Sequence, residues 1–160
     1  MSLSARVREI FPSQVVSIAD QQGDPLVYLK REGIVPVLKT LRDEAEFKFD
    51  VLMDLFAVDY LHWEEKADRF EIVYNLYSTS MRHRLFVKVC VSEKDAALDS
   101  VVSLWPAANW FEREVWDMFG VKFKGHPDPR RILMYEEFTG HALRKDYAYN
   151  KRQPLIGPIN

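Results

Sequence analysis

Three runs constrain this chain most: "FKFDVLMDLFAVDY" at 47–60, "RFEIVYNLYS" at 69–78 and "RLFVKVCVS" at 84–92. The first begins with alternation and becomes apolar. The second places Phe70, Ile72, Tyr74 and Leu76 on one face, and the third is rich in branched residues, which suit a pleated surface. Only the polar loops "LHWEEKAD" and "STSMRH" separate them. Links this short join antiparallel neighbours, because a parallel pair needs a crossover of about a dozen residues. The expectation is an antiparallel meander with one polar face and the other covered by helices.

Helices are available for that cover. Leu3, Val7, Ile10 and Phe11 recur at helical spacing, and "EGIVPVLKTLRDE" carries Val35, Leu38 and Leu41 as an apolar stripe. Pro36 is tolerable there only in the first turn. "QVVSIAD" and "LVYLK" flank the turn "QQGDP" and read as two short strands. "SEKDAALDSVVSLWP" is expected to form a helix capped by Ser92, with Asp95 completing a capping box and Pro106 stopping it. Leu98, Val101, Val102 and Trp105 would line its buried side. Asn109 should cap a short helix over 110–119, which Gly120 ends. Periodicity fades after Gly125. The fold class is therefore α+β: a small, largely antiparallel sheet covered on one side by helices, with a compact domain over 1–124 and an extended C-terminal arm over 125–160.

At 160 residues the chain has the length of one domain with its own core. No run approaches the ~18 apolar residues of a membrane span. The start carries Glu9 and no long apolar segment, so no secretory signal is expected. Cys90 is alone, which excludes an internal disulfide and points to a reducing compartment. His62, His83, His126 and His141 are scattered, with no HxxxH or CxxC pair, and neither GxGxxG nor GxxxxGK[ST] occurs. No cofactor of the chain's own is expected. The net charge of −2 divides unevenly, at +4 for residues 121–160 and −6 for the rest. A basic tail on an acidic body suits an acidic partner surface, a phosphate or an anionic membrane, or is simply solvated.

The densest stretch is "FEREVWDMFG". On a helix there, Phe111, Val115 and Met118 share a face, Arg113 and Asp117 stand four apart and can pair, and Glu112 and Glu114 lie near the start, where the helix dipole favours carboxylates. As an acid–base pair Glu112 and Glu114 fail, because positions two apart on a helix point about 200° away from each other. A capped helix with surface ion pairs is one alternative, and a buried charged helix held against another protein is the other. In "GHPDPRR", Pro127 and Pro129 stiffen the loop that presents Arg130 and Arg131, whose guanidinium groups suit bidentate contacts with carboxylates. His126 reads as a hydrogen-bonded structural histidine rather than a metal ligand, since no companion ligands stand near it in sequence. His141, Arg144, Lys145 and Asp146 repeat the pattern. Nucleic acid is a weak rival partner, because the basic residues alternate with carboxylates.

Together, "LWPAANWFEREVWDMFGVKFKGHPDPRRILM" and "GHALRKDY" closely resemble the 30-kDa subunit family of NADH:quinone oxidoreductase, respiratory complex I. The ordered signature is Glu112-Arg113-Glu114, Asp117, Phe119-Gly120, His126-Pro127-Asp128, Arg130 to Leu133, Gly140-His141 and Leu143 to Tyr147. It extends more loosely back to "FEIVYNLYS". Pro129, Ala142 and Ala148 depart from the usual pattern and affect local loop shape. The resemblance implies a cofactor-free scaffold in the hydrophilic arm, at the cytoplasmic face of a bacterial inner membrane. It also implies FMN and iron–sulfur clusters in partner subunits, and packing chiefly against the large hydrogenase-like subunit of the quinone module. Glu112, Arg113, Glu114, Asp117, His126, Arg130, Arg131, Arg144, Lys145 and Asp146 would form the subunit interface, and the arm would dock on neighbours. The alternatives are a homologous scaffold in a membrane-bound hydrogenase or formate hydrogenlyase-type complex, a free-standing hydrolase using Glu112 or Glu114, and an anionic-surface binding module using 121–152.

Overall fold

The computed structural model describes residues 2–154, so the closing "GPIN" of the anticipated arm lies outside the described residues. Helix α1 (Leu3–Ile10) starts at Ser2, whose Oγ accepts the Ala5 N–H at 3.3 Å. Strands β1 (Val15–Gln21) and β2 (Asp24–Leu29) form an antiparallel hairpin. In α2 (Ile34–Asp43), Pro36 sits in the first turn, where its missing N–H has no helical acceptor to lose. The three long runs become β3 (Val51–Asp59), β4 (Phe70–Ser78) and β5 (His83–Val91), each antiparallel to the next. The meander is as the loop lengths require.

What loop lengths do not reveal is that β2 adds parallel to β5, giving the order β1-β2-β5-β4-β3. The register sets Val27 beside Val87 and Leu29 beside Val89, which keeps the apolar side chains on one face. Phe70, Ile72, Tyr74, Leu76, Leu85, Val87 and Val89 are fully buried there, in one cluster with Val7, Leu38, Leu41 and Val115 of the helices. Each such side chain contributes about 1.5–3 kcal/mol. The opposite face is less polar than alternation implies. Val73 is buried on it, Met53 and Phe56 are exposed, and Glu71 is buried because Lys66 and Lys88 close over it at 2.8 and 2.9 Å.

The helix expected over 92–105 does not form. A 3-10 turn (Glu93–Asp95) leads into β6 (Ala97–Asp99) and a run of turns to Trp105, and Ser92 makes no side-chain cap bond. Leu98, Val101 and Trp105 are buried as anticipated. The backbone, however, finds better acceptors outside a helix. β6 pairs parallel with β7 (Lys122–Lys124), and the Val101 N–H donates to Glu112 at 2.7 Å. Helix α3 (Ala108–Phe119) crosses between those two strands. Asn109 lies inside its first turn and does not cap it; the cap position is Ala107, without a side-chain bond. Gly120 ends α3 at φ 79°, as expected. From Gly125 to Pro154 no helix or strand occurs, yet residues between 126 and 146 bond to α3 and to the β3–β4 end of the sheet. We refer to this segment of the arm as the strap.

Candidate functional site

The C-terminal half of α3 holds the strap through one carboxylate. Asp117 has no solvent exposure. Its Oδ2 accepts the N–H groups of Ile132, Leu133 and Met134 at 3.0, 2.8 and 2.9 Å, and its Oδ1 accepts from Arg131 Nη1. Burial alone would raise its pKa. The three backbone N–H groups and the guanidinium outweigh that and hold it below the ordinary carboxylate value. Arg131 also donates from Nη2 to the carbonyls of Phe138 and Gly140 at 2.8 and 3.1 Å, and its cation lies over the rings of Trp116 and Phe138. One ion pair thus fixes two turns of a segment that has no ladder of its own.

The neighbouring groups repeat this logic. Arg113 donates to the carbonyls of Arg130 and Arg131 at 3.0 and 2.7 Å, with Asp128 at 3.6 Å. The expected pair between Arg113 and Asp117 is therefore absent; each faces a different part of the strap. Arg144 donates to the Phe119 carbonyl and His141 Nδ1 to that of Asp117. Burial, followed by other influences including two nearby arginines, lowers the His141 pKa. A Cβ on Gly120 would stand 2.6 Å from His141 Nε2 and 2.7 Å from Arg144 Nη2, so the glycine admits both side chains as well as the left-handed turn. His126 donates from Nε2 to the Asn109 carbonyl at 3.0 Å and accepts the Asp128 N–H at Nδ1. Both ring nitrogens are occupied, which fixes the tautomer and leaves no lone pair for a metal.

The other half of α3 carries Glu112, also without solvent exposure. Ser100 donates to its Oε2 at 2.6 Å and the Val101 N–H to its Oε1; His126 Nε2 is 3.9 Å away. Burial pushes its pKa up to about 7, against the opposing pull of those two donors. Because Oε1 faces an N–H and Oε2 faces a hydroxyl that can turn to accept, the proton belongs on Oε2. Glu112, Arg113, Trp116, Lys122, Phe123, Lys124, His126 and Pro129 line a cavity of about 330 Å³ between α3 and β7.

A second clamp joins the β3–β4 hairpin to the strap. Arg69 is bidentate to Asp59 at 3.0 and 2.9 Å and to Asp146 at 3.0 and 2.7 Å, and it reaches Glu93 at 2.6 Å. Asp59 also accepts the N–H groups of Leu61 and Lys145. Burial would raise its pKa, but Arg69 and those N–H groups bring it down to about 2. Asp59 and Arg69 bracket the β3–β4 hairpin, which sequence could have suggested. That Asp146 closes the group from far along the chain could not have been read there.

The anticipated interface set therefore splits. Glu112 and Asp117 are inside the chain, satisfied by its own donors. Arg113, His126, Arg131 and Arg144 lie in the seam between α3 and the strap. Glu114, Arg130, Lys145 and Asp146 are exposed. Glu112 and Glu114 do not converge.

The family model for the respiratory-chain NADH dehydrogenase, 30 kDa subunit, matches residues 27–153. The C-type subunit of NADH-quinone oxidoreductase from Geotalea uraniireducens is 41% identical over 153 residues, covering 96% of this chain and 87% of that protein. Its counterpart from Rhodobacter capsulatus is 46% identical over 145 residues, covering 91% and 71%. Among solved structures, the trypsin-resistant fragment of Nqo5 superposes with a TM-score of 0.67 at 36% identity, covering 80% of this chain and 99% of that one. A chain of the membrane-bound sulfane sulfur reductase, an archaeal respiratory membrane complex, shares the fold, with a TM-score of 0.62 at 24% identity over 76% and 68%.

Proposed function

The chain belongs to the 30 kDa subunit family of the respiratory-chain NADH dehydrogenase, and we propose that within that NADH:quinone oxidoreductase it is a scaffold, carrying no redox centre of its own. The observation behind this reading is how the signature residues are used. Asp117, Arg113, Arg131, His126 and Arg144 all bond to the strap or to α3, so their combined effect is to fix the shape of a surface. None of them converges with another on an open reaction centre. That argues against the hydrolase alternative, and the names of the relatives favour the NADH-linked complex over a hydrogenase-type one.

The partners in this reading are the other subunits of the complex, chiefly the large hydrogenase-like subunit of the quinone module, with FMN and iron–sulfur clusters held by neighbours. Among the described residues no helix is long and apolar enough to cross a membrane. Attachment through partner subunits at the cytoplasmic face fits that observation. Of the anticipated interface residues, Glu114, Arg130 and Lys145 are exposed and available to a neighbour, while Asp146 is exposed but held by Arg69.

The test has two arms. The tagged full chain, purified from its native membrane, should bring down the flavin-bearing NADH module and the quinone module together. The same chain expressed alone should show no flavin or iron–sulfur absorbance and no NADH:quinone turnover. A bound redox centre in the lone chain, or activity from it, would overturn the scaffold role.

A further inference from the structure

The cavity between α3 and β7 is a part of the site that the strap leaves open. Trp116, Phe123 and Pro129 give it apolar walls, and its volume of about 330 Å³ has room for a large side chain. Its mouth is basic. Lys122 and Lys124 are two apart on a strand, so both stand on one side while Phe123 turns inward. Both lysines are exposed, and among the described residues neither forms an ion pair. The arginines nearby are committed: Arg113 to the strap carbonyls, Arg130 to Asp128 and Arg131 to Asp117. An apolar slot flanked by two cations without an ion pair, with Asp99 beside Lys124 in the β6–β7 register but not bonded to it, favours an anionic partner. Glu112 on the cavity wall has both oxygens engaged by Ser100 and Val101, and burial favours its neutral form.

We propose that this cavity receives an acidic segment of a neighbouring subunit, with an aromatic or aliphatic side chain seated between Trp116, Phe123 and Pro129 and flanking carboxylates on Lys122 and Lys124. An apolar anchor surrounded by charge pairs is the arrangement in which few residues dominate an interface. The proposal rests on membership in a multisubunit complex, as set out above, and adds the chemistry of one contact.

A photo-crosslinking residue, p-benzoylphenylalanine, placed at Lys124 or at Pro129 of the full chain in its native host, tests it. The complex is purified intact and irradiated, and the joined peptides are sequenced. The expected product joins this chain to one stretch of another subunit with at least two carboxylates beside an apolar residue. A cross-link to a second copy of this chain, to a segment without acidic residues or to lipid would overturn the site, as would no cross-link in an intact complex. Should the tagged chain emerge without other subunits, membership itself fails, and this site with it. In parallel, a K122E/K124E double variant should keep its unfolding midpoint and lose at least tenfold in incorporation against the wild-type chain. Reversing the charge of the cross-linked carboxylates should restore it. Equal incorporation of variant and wild type would sink the proposal.

Discussion

Glu112 and Asp117 lie little more than one turn apart on α3, both hidden from solvent, and their electrostatics are opposite. Asp117 receives three backbone N–H groups and a guanidinium; Glu112 receives one N–H and one hydroxyl. The first is held as a carboxylate below its ordinary pKa and the second is raised to about 7. Neither touches solvent, yet the outcomes differ, because Glu112 lies deeper and loses more hydration while Asp117 has more donors and a cation to replace the lost water. The Asp117 end organises chain that has no core. The Glu112 end closes a turn and leaves a cavity beside it.

The largest effect should come from removing the cation that separates the two cases. Arg131→Ala leaves Asp117 without its charge partner and the Phe138 and Gly140 carbonyls without their donor. Breaking a buried pair in this way costs about 3–5 kcal/mol. Urea unfolding of the full chain measures it, with limited proteolysis reporting the strap. A loss under about 1 kcal/mol, with the strap still protected, would show that the three N–H groups suffice and that the cation is dispensable.

Glu112→Gln probes the other side of the contrast. For Glu112 the folded pKa, about 7, lies above the ordinary 4.5. Its favourable contribution is therefore full below pH 4.5 and lost as pH rises through about 7. Glutamine keeps an oxygen for the Val101 N–H and a donor for Ser100, and cannot ionise. The variant should match the parent near pH 4 and exceed it by about 3 kcal/mol above pH 8. Asp117 and Asp59 run the other way: their contributions are present above the ordinary 3.8 and are lost as pH falls through their lowered folded values, about 2 for Asp59. A stability profile for Glu112→Gln parallel to the parent from pH 4 to 9 would mean that folding leaves the pKa of this carboxyl at its ordinary 4.5.

The same contrast explains how much could be read beforehand. The meander, α1, α2, the span of α3 and its Gly120 terminus follow from periodicity and turn chemistry, which act over a few residues. Resemblance supplied the family. The helix expected at 92–105 failed because its apolar spacing fits a buried turn equally well, and the acceptor that decides for the turn, Glu112, lies on another element. Asn109 looked like a cap, yet its carbonyl serves His126 of the strap. Arg113 and Asp117 are at the spacing of a helical ion pair, but stronger partners come from residues 128–134, whose approach no local pattern encodes. Long-range polar contacts leave the weakest trace in sequence, and this site is built from them.

Gly120→Ala tests whether the strap depends on the helix end as well as on Asp117. A left-handed alanine costs about 1–2 kcal/mol. The new methyl would also displace His141 and Arg144, whose side-chain atoms would lie 2.6 and 2.7 Å from it. The total should exceed the backbone cost only slightly, since those are the far ends of side chains that can move. Hydrogen exchange should show faster opening at Leu143, Arg144 and Tyr147, whose N–H groups bond to Met118, His141 and Arg144, with the five-stranded sheet unchanged. Faster exchange confined to α3 would place the damage in the helix alone.

Arg130→Ala is the smallest change and sets the baseline for the rest. The Arg130 side chain is 67% exposed and its bidentate contact is with Asp128, two residues away. A pair so open to water is worth about 0.2–1 kcal/mol, and Asp128 keeps Arg113 at 3.6 Å when Arg130 is gone. Unfolding of the lone chain should therefore shift by less than about 0.5 kcal/mol. Arg131, adjacent in sequence, should give several times that. Since the folded chain does not need Arg130, a larger loss in assembled complex can come only from a contact that the lone chain lacks. Unchanged assembly would confine the signature's work to α3 and its strap, while a fall well beyond the stability change would assign this arginine to a neighbouring subunit.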